Sequence, residues 1–278
     1  MKNLFNANKL KNLQILTIGA YLFTIISIPF IALSWNMVGL TVFMYFLIFG
    51  FGVSLTFHRS ITHRAIDMHP VLEFIGKFFA SIGGTGSPIS WVLIHKAHHK
   101  YSDTDKDPHS AKDVLKYVIG KYPTVSAKGM RKLAQSNVNK FIHRHYYLII
   151  LGYGTIWAMF GLEYFCYGFI FPMVLNMVAG HLVNWYTHSN YIFNYRLHNT
   201  RDTSQNNAVI GLLTWGEGFH NTHHKHPGRA SFSMRIWEID ATFVFAKVLE
   251  KIWFIKYHFH YHELPQPPPS LAAIGSGD

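Results

Sequence analysis

The chain has 278 residues, of which 49% are hydrophobic and only 14% charged, with a formal net charge of +11. So low a charged fraction argues against a soluble domain and fits a membrane-embedded one. The surplus of Lys and Arg calls for anionic partners such as lipid headgroups, a phosphate-bearing substrate or an acidic protein. No nucleic-acid-binding motif accompanies the charge, so nucleic acid is not expected, and the lone Cys166 excludes an intramolecular disulfide.

Met1 to Lys11 is a basic, polar lead into an apolar stretch and reads as a signal-anchor rather than a cleavable signal. From Asn12 to Phe57 there are 46 residues without Lys, Arg, Asp, Glu or His, about twice the length of one membrane span. Trp35-Asn36 is the one plausible interruption, which predicts spans over 13–35 and 37–57 joined by a tight turn. A first histidine cluster follows at once, His58-Arg-Ser-Ile-Thr-His63. Residues 71–94 are moderately apolar and broken by Gly83-Gly84-Thr85-Gly86-Ser87-Pro88, a pattern of helices lying at the membrane interface. The second cluster is His95-Lys-Ala-His98-His99. Tyr146 to Tyr195 contains no Lys or Arg and one carboxylate, Glu163. It predicts spans over 146–162 and 164–186, with Glu163 in the outer turn. The third cluster, His220-Asn-Thr-His223-His224, comes after the last span. The proline-rich run 265–269 ends a single domain of residues 1–264, and 265–278 reads as a flexible tail.

All 25 Lys and Arg residues fall before Leu13, between His58 and His145, or after Tyr195. Two hairpins place these regions on one face, and the positive-inside rule makes that face cytoplasmic, both termini included. The expected architecture is an all-α integral membrane protein. Four transmembrane helices in two hairpins carry a cytoplasmic helical cap, 58–145 and 187–264, that holds a histidine-rich metal site. Buried helices of a soluble protein are the alternative, but paired charge-free stretches of this length are uncommon there.

Residues i, i+3 and i+4 of a helix share a face. His95, His98 and His99 are therefore expected to converge on one centre, and His220, His223 and His224 on another. His58 and His63 are five apart, share a face less closely, and would supply ligands from two sides of a helix end. Eight imidazoles exceed the shell of one ion and imply two. A shell rich in imidazole and poor in carboxylate suits iron, copper, nickel or zinc. His69, His109, His143, His145, His198, His226, His258, His260 and His262 read as solvated or interfacial. His181, Asn184 and His188 lie on one face at the inner end of the last span, where polar groups are costly unless partnered; His181 reads as a satisfied core histidine.

The strings Phe57-His-Arg-Ser-Ile-Thr-His63, His95-Lys-Ala-His-His-Lys-Tyr-Ser-Asp-Thr-Asp-Lys-Asp-Pro-His109 and Gly216-Glu-Gly-Phe-His-Asn-Thr-His-His224 resemble the three boxes of the membrane fatty-acid desaturases. The likeness is to the branch holding the Δ9 acyl-CoA and acyl-lipid enzymes, over about Phe51 to Ile255. Val183-Asn184-Trp-Tyr-Thr-His188 resembles a further element of that family, and Ser204-Gln-Asn-Asn207 and Trp237-Glu-Ile-Asp240 look like its bacterial members. The resemblance implies two iron ions held by His58, His63, His95, His98, His99, His188, His220, His223 and His224, with Asn184 reaching one iron through water. It implies that O2 and two electrons remove two hydrogens from an acyl chain on CoA or glycerolipid, leaving a cis double bond, with Δ9 as the expected position. Trp91 corresponds to a tunnel aromatic, though an interfacial anchor is an equal alternative, and Lys121 could meet a substrate phosphate. Leu93-Ile94 stands where animal acyl-CoA desaturases carry Arg-Asp, which removes part of a CoA-binding surface. No flavin, haem or iron–sulfur motif is present, so a separate small acidic donor, a ferredoxin or a cytochrome b5-like protein, is expected.

Two rivals remain. A hydroxylase or ketolase acting on an alkane or isoprenoid would share the first hydrogen abstraction, but the third string is of the desaturase kind. A non-catalytic metal-binding or transport protein would place ligands along a path through the bilayer, whereas these gather on one side.

Overall fold

The computed structural model describes residues 7–113, 115, 118–119 and 131–257. Lys121, His258, His260, His262 and the 265–278 tail lie outside them. Helix α1 (Ala7–Ser27) tightens into a single turn at Ile28–Phe30, because Pro29 withholds a backbone donor and cannot continue the helix. Ser34 is extended (φ −128°, ψ 121°) and α2 (Trp35–Tyr45) starts from it. The connection is thus Ile31–Ser34, and Trp35 opens the second helix instead of closing the first.

Helix α2 passes without a break into a more widely wound helix, Phe46–Thr62. There the backbone reaches carbonyls five residues back, His63 N–H donating to His58 O at 3.1 Å, a rare winding that concentrates at functional sites. Trp35–Thr62 forms one apolar helix of 28 residues. Beyond it, β1 (Ile66–Met68) pairs antiparallel with β2 (Ile255–Tyr257), Asp67 opposite Lys256.

Helix α3 (Pro70–Ile82) does not lie flat at an interface. A Cβ on Gly52 would sit 2.5 Å from the Ala80 nitrogen, and one on Gly76 would collide with Thr56. The pairs 52/80 and 56/76 mean that α3 runs antiparallel along the second span. Its far end reaches a later apolar helix, where Asn176 Nδ2 donates to Gly83 O at 2.7 Å. The chain then reverses into α4 (Pro88–Tyr101), capped by Ser87 with Pro88 at its first position.

Helices α5 (Arg131–Gln135) and α6 (Asn137–Arg144) lead to α7 (Tyr146–Ala158). Helix α7 stops four residues before the expected Leu162, and Gly161 takes a left-handed φ of 105°. Glu163 stands in the first turn of α8 (Leu162–Phe165), favourable for the helix dipole, rather than in the connection. A wide turn, Cys166–Ile170, joins α8 to α9 (Phe171–Tyr186). At 1.5 Å per residue, α7 is about 20 Å long, short of the roughly 30 Å of a bilayer core. Three helical stretches among the described residues, Asn12–Phe30, Trp35–Thr62 and Leu162–Tyr186, are long and apolar enough to cross a membrane. Leu13 and Ala20 of the first, Tyr146 and Ile150 of α7, and Phe169, Met173 and Met177 of the last form one buried cluster.

The segment after α9 folds back along the second span. Helix α10 (Ala208–Leu213) ends where Tyr45 Oη donates to Leu213 O at 2.8 Å, and Trp215 packs on Tyr45 and Phe46. Helices α11 (His220–Lys225) and α12 (Ala241–Lys251) follow. Phe243, Ala246 and Leu249 of α12 pack on Phe51 and Leu55 of the second span.

Candidate metal centre

The wide winding at the end of the second span has a direct consequence. With five residues to a hydrogen-bonded turn, His58 and His63 project to the same side, their ring centroids 4.8 Å apart. The ordinary helical spacing assumed for them from the sequence does not apply.

Nine histidines form two groups whose facing nitrogens lie within 4.8 Å of one another: His58, His63, His95, His99 and His223 in one, and His98, His188, His220 and His224 in the other. The division corrects the expectation that each three-histidine box serves one centre. His95 and His99, four apart, face the first group and His98 faces the second. His220 and His224, four apart, face the second, and His223 faces the first. A helix turns 100° per residue, so i and i+4 stay together while i+3 swings to the other flank. The Nε2 atoms approach closely, His58 to His223 at 3.0 Å, His63 to His95 at 2.9 Å and His223 to His99 at 2.8 Å. In the second group His224 Nε2 lies 3.0 Å from His220 Nε2.

Carboxylates on the far side fix which nitrogen faces inward. Glu217 accepts from His58 Nδ1 at 2.6 Å and Asp107 from His98 Nδ1 at 2.9 Å. Asp103 accepts from His188 Nδ1 and Asp202 from His224 Nδ1, each at 3.0 Å. An imidazole that donates from Nδ1 to a carboxylate presents an Nε2 lone pair. Burial, reinforced by neighbouring imidazoles, pushes His63, His95, His99, His220 and His223 well below the usual histidine range. Burial also takes His224 down to about 3 against the opposing pull of Asp202. Burial would raise Glu217, but the charges of His58 and Arg59 outweigh it and hold the carboxyl at about 2. Imidazoles aiming Nε2 lone pairs at one another repel unless a cation lies between them, and His188 Nε2 is buried without a hydrogen-bond partner. The residues present therefore fit two metal ions with imidazole shells of five and four donors.

An apolar cavity adjoins both groups. Helix α9 contributes Asn176, Met177, Gly180, His181, Val183 and Asn184, the second span Phe49 and Val53, and the histidine side His58, His95, Glu217 and His220. Asn176 to Asn184 is about 12 Å of helix. Trp91 lines it too and stacks on His95, centroids 4.9 Å apart at 15°. Asn184 donates to Gly180 O at 2.7 Å and faces the cavity beside His220. His181, read as a core histidine, lines this cavity as well.

Two histidines read as solvated or interfacial pack inward. His109 is half-buried against His98, centroids 5.6 Å apart, lines the cavity, and is driven by desolvation to about 3. His143 is buried and its Nδ1 lies 2.5 Å from Ser87 Oγ at the start of α4. The carboxylates behind the histidines also escaped the sequence reading. Asp103, Asp107 and Glu217 sat inside the quoted strings, where a carboxylate within a few residues of a box was the available signal. Asp202 had none.

Membrane-length apolar helices and two histidine groups that could hold metal, set beside an apolar cavity, describe a membrane protein of a metal-binding kind. Comparison with known proteins makes the class specific. The fatty acid desaturase family model matches residues 32–243, and the chain belongs to that family, an oxidoreductase of the desaturase kind. It is 31% identical over 225 residues to the sn-1 stearoyl-lipid 9-desaturase of Anabaena variabilis, covering 78% of this chain and 82% of that one. It is 32% identical over 232 residues to the acyl-CoA C20 Delta5-desaturase of Anemone leveillei, covering 78% and 72%. Against the delta-9 acyl-lipid desaturase 2 of Arabidopsis thaliana it is 28% identical over 243 residues, covering 83% and 78%.

Proposed function

We propose that this chain introduces a cis double bond, at Δ9, into a saturated acyl chain carried on glycerolipid or CoA, using O2 and electrons from a small acidic donor. The observation that carries the reading is the pair of carboxylate-braced imidazole groups opening on an apolar cavity. The two groups would hold two irons, His58, His63, His95, His99 and His223 one, and His98, His188, His220 and His224 the other, with Asn184 reaching the second through water. Bound iron would supply the oxidising power for hydrogen removal, which an unactivated methylene demands because it offers no acidic proton.

The protein's own residues supply geometry and exclusion. Glu217, Asp107, Asp103 and Asp202 keep protons on Nδ1, so that Nε2 of their histidines stays available. Phe49, Val53 and Met177 give an alkyl chain an apolar wall and keep water from it. Trp91, held flat on His95, fixes one side of the cavity beside the metal and orients the acyl segment lying there. The relatives act on lipid-linked and CoA-linked chains alike by their names, so glycerolipid and CoA stand as the two carriers. Lys121 is proposed for the carrier phosphate, the basic face of the molecule for the donor, and that face is taken as cytoplasmic, with four membrane crossings in all.

Fatty acids of a host expressing the chain, analysed by gas chromatography–mass spectrometry with double bonds located by derivatisation, should show a new cis-Δ9 monoene. A product carrying added oxygen would replace desaturation with hydroxylation, and no new product in a host with ample donor would refute the reading.

A further inference from the structure

Trp237-Glu-Ile-Asp240 touches no histidine of either group, yet Asp240 is 2% exposed and fully committed to partners. It caps α12 by accepting from Phe243 N–H at 3.0 Å and accepts from Phe232 N–H at 2.9 Å. It also takes both oxygens to Arg59 Nη2, at 2.9 and 3.0 Å. Arg59 is 1% exposed, gives its other fork nitrogen to Glu217 Oε1 at 2.6 Å, and donates from Nε to Ala230 O at 2.8 Å. Glu217 divides its oxygens, Oε1 for Arg59 and Oε2 for His58 Nδ1 at 2.6 Å. The guanidinium also lies 4.0 Å over Phe232, whose ring packs on His223 at 4.6 Å. Gly216, at φ 112°, has no side chain because Asp240 occupies the space a Cβ would take.

We propose that Asp240 is a positioning residue for the five-histidine group alone, acting through Arg59 and Glu217 on His58. A guanidinium held between two carboxylates leaves one net negative charge on the cluster, which keeps Glu217 a strong acceptor for His58 Nδ1 and His58 a strong donor to metal. Without the Asp240 charge, Arg59 has Glu217 as its only carboxylate and draws it away from the imidazole. The four-histidine group is braced separately by Asp103, Asp107 and Asp202 and should not respond. The inference rests on the reading of these groups as metal sites.

Cobalt(II) titration of the purified, metal-stripped full chain in detergent, followed by visible absorption and calorimetry, tests it. Asp240→Asn keeps the oxygen that caps α12 and removes the charge together with the second acceptor, the one Phe232 N–H shares with Arg59. Wild type should bind two ions. The variant should bind one as before and the other about 10–100-fold more weakly, the usual effect of losing a ligand's hydrogen-bonded support. Asp202→Asn should weaken the other ion instead. If wild type fails to bind two ions, the two-metal reading itself falls. If it binds two and Asp240→Asn leaves both affinities unchanged, or lowers both equally, the positioning role is overturned. Should Asp240→Asn not accumulate in membranes, Arg59→Lys makes the same comparison, since an ammonium cannot span both carboxylates as the planar fork does.

Discussion

The two histidine groups are built in different ways. The five-histidine group hangs on long elements, with His58 and His63 at the end of the second span and His95 and His99 on α4, and one carboxylate, Glu217, serves it. The four-histidine group draws His188 from just beyond α9, and three carboxylates, Asp103, Asp107 and Asp202, hold it from loops. Three of the four rings in the second group thus have a carboxylate of their own among the described residues, against one of the five in the first.

Removal of a ligand should erase this distinction. His98→Ala and His95→Ala, one from each group, should each reduce product formation below detection while the protein still inserts in membranes, as immunoblotting of membrane fractions beside fatty-acid analysis would show. Normal activity in either variant would remove that histidine from the shell. Outer partners should instead sharpen the contrast. Glu217→Gln should weaken one metal about 10–100-fold because it is the only carboxylate on its group among the described residues, whereas Asp107→Asn, with two neighbouring acids intact, should fall at the lower end of that range. Metal analysis after graded chelator dialysis gives the order.

How far the sequence announced this arrangement depends on the distance over which each feature is encoded. The boxes and the apolar stretches are local patterns, and the histidines they contain do come together. The splitting of each three-histidine box between two groups is also local, but it depends on what faces either flank of α4 and α11, which spacing alone does not say. The pairing of His58 with His63 needs the wide winding from Phe46 to Thr62, for which periodicity gave no sign. Asp202 and Asp240 act across the fold. Asp202 meets a histidine 22 positions away and Asp240 an arginine 181 positions away. The helix breaks fall at Pro29 and Gly161 and not at Trp35-Asn36 and Glu163, because a backbone that loses a donor or turns left-handed interrupts even a long apolar run.

Smaller effects test the scaffold under the five-histidine group. Gly52→Ala should destabilise the protein by about 1–3 kcal/mol, the range for overpacking, because its Cβ would meet the Ala80 backbone and not a side chain that can turn away. A lower inactivation temperature in detergent would register it. Ser87→Ala removes the cap of α4, which carries His95, His98 and His99, and should cost about 1 kcal/mol. A thermal midpoint equal to wild type would show that Pro88 suffices to start that helix without the cap. Least of all, reduction by an acidic donor protein should slow several-fold as salt rises from low to physiological strength, given the net charge of +11, and stopped-flow rates that do not change with salt would count against docking on the basic face.

Iron content of the purified chain, measured with its Mössbauer spectrum, bears most directly on the two-group arrangement. Two irons per chain in unequal environments, five imidazoles against four, are expected. A single ion per chain, or two ions with one indistinguishable environment, would contradict it.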